Sequence, residues 1–450
     1  KIKRYLPFFL GFFLSFCLIN YKIFVLDLLL NTNYESWDYI RPAKIFYETN
    51  SFSSLFESLT ARLPAYPILI SYLFNFFGYE NFISILFFQS FLYGLIVHIS
   101  IKIKNIFTKK YFWISLVIIL LNLNLLLSST IILPDFLLTF FLTNGIYFYL
   151  LFFKNKSKYF YLLIGNIFFS LTFITKPVAI LLPFFLFLSL IIFCIYNYKK
   201  TLYKKILISL SPLLIIYIVA SPLYLYHYQK SGIASISNHK GGHLLFGVYP
   251  CLSQKWGCGT GNIVASENAI KIHQEISVKF FKKEYGLNEV DLEYIKNLNM
   301  TSSDRLKISK LHEDAFYKVI NEIKTTQIIQ SAFFSYMKLM LHTSLISFID
   351  FYNINYEEYK IPDNFNKITF IWLIGQIVLI ISRFFQIYGT VCYLKSNKKN
   401  IFSIIFLLLI CIAFLIPALS IGNYRYRLPL EMILSLLTIL GVRKFIKNNL

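Results

Sequence analysis

Asp38 stands between Trp37 and Tyr39 in a polar stretch, and further along that stretch Arg62 opens the turn Arg62-Leu-Pro64-Ala-Tyr66-Pro67. Long apolar runs flank both residues, and neither solubility nor folding in a bilayer calls for an acid, a base and a proline turn in that order. A carboxylate can take the proton of a hydroxyl nucleophile, and a guanidinium can grip a phosphate through two parallel donors. Glu35 is the nearest second acid to Asp38. Other ionisable groups border apolar runs in the same manner: Asp135 after Pro134, Lys176 within Thr175-Lys176-Pro177, and Arg425 and Arg427 within Tyr424-Arg425-Tyr426-Arg427-Leu428-Pro429.

Each of these also has an ordinary structural reading. Asp38 could cap a helix starting near Pro42, since helix N-termini favour Asp. Asp135 has the look of a cap at the end of a span, and Lys176 that of a lysine reaching out to the membrane surface along its own apolar stem. Arg425 and Arg427 could anchor a span at the interface. His227, at the end of another span, reads as structural.

The elements that must position these groups are set by composition. Hydrophobic residues form 57% of the chain and charged residues 15%, with a mean hydropathy of +0.60. Apolar runs of roughly 20 residues recur throughout, about the length that crosses a ~30 Å hydrocarbon core. The expected fold class is therefore an all-α polytopic membrane protein embedded in a lipid bilayer. The net charge of +22 does not point to nucleic acid, because the basic residues fall in short clusters between spans and not on one soluble face.

Those clusters thread the chain. They lie at Lys1–Arg4, Lys102–Lys110, Lys154–Lys158, Lys199–Lys205, Lys395–Lys399 and Arg443–Lys447. If all face the cytoplasm, spans are expected at about 5–26, 81–101, 111–129, 135–153, 159–175, 177–198, 206–228, 367–394, 401–421 and 428–446, ten in all, with both termini inside. The first reads as an uncleaved signal anchor, since no small-residue cleavage site follows its apolar core. Residues 332–352 are apolar but carry a polar edge with Lys338 and His342, which suits a helix lying in the interface. Three parts result: a transmembrane core over 1–228 with its polar segment at 27–80, a cap and interfacial helix over 229–366, and C-terminal spans over 367–450. Threaded this way, Asp38, Arg62, Asp135, Lys176, Arg425 and Arg427 all reach the extracytoplasmic face.

The cap holds Cys251 and Cys258, in Tyr-Pro-Cys-Leu-Ser-Gln-Lys-Trp-Gly-Cys-Gly. A disulfide between them fits an oxidising exterior. A zinc site with His239 and His243 is the alternative, although that spacing matches no standard pattern. Two free thiols remain open as well.

An acid to deprotonate an acceptor, cations to hold a leaving phosphate, and a pocket at the headgroup level are the parts needed to move a sugar from a lipid phosphate. The order and sidedness of the motifs around Asp38, Arg62, Lys176 and Arg425–Arg427 resemble the integral-membrane glycosyltransferases of the GT-C superfamily, in the branch of bacterial protein O-mannosyltransferases and aminoarabinose transferases. The resemblance covers residues 5–228 well and 367–446 more loosely, and in 229–330 it carries no motif. It implies a GT-C helix bundle, Asp38 as the essential first-loop base, Arg62 as a phosphate contact and a polyprenyl-phosphate sugar as donor. Glu35, Asp135, Lys176, Arg425 and Arg427 are then expected to bind substrate.

The chain departs from that pattern in two ways. Many members carry paired acids where this chain has Trp37-Asp38-Tyr39, and the Trp-Trp-Asp-Tyr-Gly signature is absent, so transfer of a preassembled glycan to Asn is not expected. The acceptor is expected to be an extracytoplasmic lipid, polysaccharide or protein, reached from the bacterial inner or plasma membrane. No cofactor is required, and a divalent metal is compatible with the chemistry. A transporter or flippase of lipid-linked glycans should show internal repeats or charges at mid-membrane, and a polymerase or ligase a large late loop; the sequence has none of these. Sidedness is testable directly. Cysteine replacing Asn33 should react with an impermeant thiol reagent applied outside, and cysteine replacing Asn397 should not. Outside labelling at 397 would invert the C-terminal half.

Overall fold

The computed structural model describes residues 2–25, 34–59, 62–155, 158–197, 202–254, 267–285, 300–341, 365–396, 401–418 and 427–449. Its regular elements are all helical, with no strand among the described residues. Hydrocarbon leaves a backbone no water to bond, so an isolated span must satisfy its own N–H and C=O groups as a helix. The chain runs through α1 (Ile2–Asn20, prolonged by a π turn Tyr21–Val25), α2 (Tyr34–Thr49), α3 (Phe52–Ser58), α4 (Ala65–Phe77), α5 (Phe82–Phe107), α6 (Phe112–Leu120), α7 (Leu123–Ser128), α8 (Pro134–Lys154), α9 (Tyr159–Phe173), α10 (Leu182–Asn197) and α11 (Leu202–Ser231). A helical segment over 240–252 comes next, then α12 (Glu267–Tyr285), α13 (Ser302–Ile320), α14 (Thr325–Leu341), α15 (Phe365–Ser396), α16 (Ile401–Ala418) and α17 (Glu431–Asn449).

Seven helices among the described residues are long and apolar enough to cross a membrane, within α1, α5, α8, α10, α11, α15 and α16. The protein is a multi-pass membrane protein. α9 is a shorter apolar helix, and α17 occupies the expected 428–446 position. The expected span at 111–129 is instead two short helices. The break has a local cause: the Asn122 side chain accepts from the Leu125 N–H at 3.1 Å and caps α7, while its amide donates to Glu431 and Ser435 at 3.0 and 3.1 Å.

The polar segment at 27–80 is largely helical where it is described. α2 begins at Tyr34 and runs through Pro42, so Asp38 lies inside a helix and does not cap one starting near Pro42. Pro42 has no N–H for the Asp38 carbonyl, which leaves that turn of α2 short of one ladder bond. Two apolar clusters hold the bundle. One gathers Tyr39, Ile40, Tyr66 and Ile70 with α5 and the start of α8; the other gathers α8 to α11 with α16 and α17.

α15 and α17 cross at glycines. A Cβ on Gly441 would lie 1.9 Å from the Phe385 carbonyl oxygen, and one on Gly389 would lie 2.6 Å from the Gly441 nitrogen. Small residues are how membrane helices bring their backbones together. Gly441→Val should therefore cost at least the ~1–3 kcal/mol typical of overpacking, and separate the two helices. Thermal unfolding in detergent tests this, with Gly247→Ala as control, since a Cβ there meets nothing nearer than 3.5 Å. Equal melting of the two variants would refute the tight crossing.

Candidate functional site

α2 turns Tyr39, Ile40 and Ala43 into the core and leaves Asp38 beside that buried face. Arg62 meets it there: Nη2 and Nε donate to Asp38 Oδ2 at 2.8 and 3.2 Å. The two side chains remain 30% and 23% exposed, so the pair is partly open to solvent. The Arg62 guanidinium also lies 5.3 Å from the centre of the Tyr39 ring, close enough for a cation–π contact. Tyr39 packs edge-to-face on Tyr66, whose hydroxyl accepts from Gln89 Nε2 at 3.0 Å. The aromatic residues around the acid thus fix the guanidinium that holds it.

A second pair is more deeply buried. Lys176 Nζ donates to Asp135 Oδ1 at 2.5 Å, with the side chains 12% and 3% exposed. Asp135 occupies the first turn of α8, where Pro134 starts the helix and the dipole favours an acid. The N-cap itself is Leu133, without a side-chain cap bond. Lys176 is extended ahead of Pro177, the conformation a following proline imposes. The Ala65 N–H donates to the Ile174 carbonyl at 3.3 Å, which ties the turn after Arg62 to the hairpin carrying Lys176.

The segment after α11 closes over both pairs. Asn238 Nδ2 donates to the Leu59 carbonyl at 2.7 Å, and the Gly241 N–H donates to Ser309 Oγ at 2.8 Å. A Cβ at Gly241 would fall 1.7 Å from the Ser309 carbonyl oxygen, so only glycine lets this segment press on α13. His239 is thereby held within electrostatic reach of both Arg62 and Asp38. Burial, and then the nearby His239, Lys176 and Arg62, push the His243 pKa down to about 4. Lys176 and Arg62 acting on one ring places the two ion pairs in one neighbourhood. The arrangement offers a carboxylate base, two cations for a phosphate, and imidazoles that are neutral near pH 7.

The remaining expected residues fall elsewhere. Arg425, Cys258 and the Glu35 side chain lie outside the described residues. Arg427 is 1% exposed: its Nε donates to Glu431 at 2.7 Å and its Nη1 to the carbonyls of Leu339 and Met340 at 2.8 and 3.1 Å. Arg383 Nε donates to the same Met340 carbonyl at 3.0 Å, so two arginines hold the end of α14. The expectation that Arg427 grips a lipid phosphate gives way to this role, because its guanidinium is committed to protein oxygens. His227 is buried, with Nδ1 2.5 Å from the Ser235 carbonyl oxygen. Cys251 is disulfide-bonded, and a disulfide sulfur is not a thiolate ligand. No three His, Cys, Asp or Glu side chains gather for a metal among the described residues. Glu431, Asn122, Gln89 and the placement of the histidines are not evident from the sequence. The spacing of Arg427 and Glu431, one helical turn apart, is the signal it does contain.

A family model described as dolichyl-phosphate-mannose-protein mannosyltransferase matches residues 6–234. Among solved structures, the chain is similar to the archaeal oligosaccharyltransferase AglB from Archaeoglobus fulgidus in complex with an inhibitory peptide and a dolichol-phosphate. Identity is 13% over 100% of this chain and 51% of that one, with a TM-score of 0.51. The Archaeoglobus fulgidus oligosaccharyltransferase in its apo form gives 12% identity over the same shares and a TM-score of 0.53. The chain thus spans about half the length of these structures. Likeness at that identity shows a shared fold. No curated protein matches the chain.

A pair of histidines locks the helices behind His239. His312, 5% exposed, has Nε2 3.0 Å from His273 Nδ1. Burial, and then His273 and His239, push its pKa from 6.5 down to about 4. The unfolded chain takes up these protons first, near 6.5, so the stability from neutral His312 and His243 is full above that pH and is lost as the pH falls towards 4. Protection of the amides in α12 and α13, corrected for the intrinsic pH dependence of exchange, should therefore fall between pH 6.5 and 5, by up to roughly 1.4 kcal/mol per pH unit for each proton. His312→Gln should flatten the dependence. Identical profiles for the two proteins would refute it.

Proposed function

The chain belongs to the dolichyl-phosphate-mannose-protein mannosyltransferase family and has the GT-C fold, and from that premise we propose that it transfers a sugar from a polyprenyl-phosphate donor to an extracytoplasmic acceptor. The observation that carries the reading is the pairing of Asp38 with Arg62 beside the pairing of Asp135 with Lys176, with His243 under the influence of both cations. The basic clusters, all expected at the opposite face of a cell membrane, support an extracytoplasmic site.

In the proposed reaction Asp38 takes the proton of the acceptor hydroxyl as its oxygen attacks the anomeric carbon. The bond from that carbon to the phosphate oxygen breaks, and the polyprenyl phosphate leaves with the electron pair. One displacement inverts the anomeric centre. Lys176 and Arg62 hold the growing negative charge on the leaving phosphate. Arg62 has a second task. In the resting site it orients Asp38, and an incoming phosphate competes for the guanidinium; as Arg62 turns to the phosphate, Asp38 is released to act as base. Binding the donor thus activates the acid, which limits proton abstraction in the absence of a substrate.

Asp38→Asn should leave the protein folded and cut transfer by roughly a hundredfold or more, the scale of lost general-base help. Arg62→Ala should weaken donor use by roughly ten- to a hundredfold, the equivalent of a charge-assisted contact worth about 1.5–3 kcal/mol. Arg62→Lys should restore only part of it, because a point charge replaces a planar fork. Near-normal turnover of Asp38→Asn with purified polyprenyl-phosphate sugar would remove Asp38 from the role of base.

A further inference from the structure

A recess opens beside the segment that carries Asp38 and Arg62. It encloses about 830 Å³ between α2, α3, the end of α11 and the start of α13, within the range of small-molecule sites. Hydroxyls of Ser53, Ser54, Ser58, Thr301 and Ser303 line it. α3 lies between Asp38 and Arg62 in the chain, and Leu59, the residue that ends it, is held by Asn238, next to His239. The recess is therefore built on the same segment that carries the acid and the arginine.

Its charges are arranged unevenly. Glu57 has both oxygens in use: Oε2 accepts from the Tyr226 hydroxyl, and Oε1 from the Ser302 N–H at 2.7 Å. That carboxylate braces the wall. Arg305 lines the recess, has no carboxylate at ion-pair distance among the described residues although Glu57 and Asp304 act on it from further off, and has a buried Nη1 without a hydrogen-bond partner. Lys230 at the rim has its ammonium 5.9 Å from the centre of the Tyr226 ring and no carboxylate partner among the described residues. A guanidinium in the wall and an ammonium at the rim suit an anion with several acceptor oxygens. The hydroxyls of Ser58, Thr301 and Ser303 donate to protein oxygens and keep acceptor capacity for the hydroxyls of a polyol.

We propose that this recess is the acceptor subsite, and that it takes a saccharide bearing a carboxylate or phosphate, whether free in a polysaccharide or carried on a lipid. The assignment of an acceptor rests on the transfer reaction proposed above; the binding chemistry does not. The run of hydroxyl-bearing residues along the wall favours a saccharide over a peptide.

The test uses the full chain in nanodiscs. Trigalacturonate should bind at least about tenfold more tightly than maltotriose, and the preference should shrink with added salt. Arg305→Gln and Lys230→Gln should each lose most of that preference. A uronate-bearing glycolipid and a soluble polyuronate, tested in parallel, distinguish the two sources. Equal binding of the acidic and neutral trisaccharides, binding of an acidic pentapeptide in place of the trisaccharide, or an unchanged preference in both variants would each overturn the proposal. Wild-type protein that binds trigalacturonate but never cleaves the donor would refute the transfer reaction and the acceptor assignment, and leave a saccharide site. Lys230 lies at an exposed rim, so its variant tests the charge even if Arg305→Gln fails to fold.

Discussion

Asp135 and Lys176 are both nearly removed from water at one end of an apolar bundle, and neither charge could stay there without the other. Desolvating a single ion costs several kcal/mol even after the protein relaxes, whereas a close pair recovers most of that through mutual attraction. The pair therefore fixes where α8 begins and where the hairpin between α9 and α10 ends. The Ala65–Ile174 hydrogen bond then passes that placement to the turn after Arg62, and Arg62 passes it to Asp38. The buried pair sets the position of the more open one, a rigid support behind a group that exchanges partners in the proposed reaction.

A similar rule governs the other end of the chain. Carbonyls in the last described turn of α14, those of Leu339 and Met340, accept from Arg427 and Arg383. Arg427 is tolerated in that position because Glu431 lies one turn on, and Glu431 is held in turn by Asn122 and Asn124 at 3.0 Å each. The broken helix of α6 and α7 is thus part of the same network: a continuous span over 111–129 would not cap itself at Asn122 or turn that amide towards Glu431. Polar residues inside the bundle are conditional on one another, and removing one strands the next.

Contrast decides what is legible in the sequence. In an apolar chain the few ionisable residues stand out, so Asp38, Arg62, Asp135 and Lys176 are legible one by one, and the apolar runs place most helices. Their pairing is not legible, because Asp38 and Arg62 are 24 positions apart and Asp135 and Lys176 are 41 apart, and only the packing of α2, α4, α8 and α9 brings them together. The helix around Asp38 is hidden because Pro42 reads as a start signal, yet burial of Tyr39, Ile40 and Ala43 offsets the broken ladder bond. Arg427 misleads for a different reason. Its position after a tyrosine-rich turn looks like an interface, and no sequence feature shows that carbonyls of α14 come to meet it.

The resting site is nearly neutral in pairs, and this bears on how a charged donor could enter. A free pair of cations at the membrane surface would attract any anionic headgroup, and the bilayer supplies those in excess. Pairing each cation with an acid lowers that general attraction, so a phosphate must displace a carboxylate to gain a grip. On the proposed mechanism Asp38 is the one to be displaced, since it is the more exposed acid and its guanidinium partner is steadied on Tyr39. Asp135, 3% exposed beside Lys176, stays in place and keeps the lysine aimed. In the proposed reaction, selectivity for a sugar-bearing phosphate over a plain lipid then rests on the step after the exchange, when a hydroxyl beside the released Asp38 gives up its proton and the displacement proceeds.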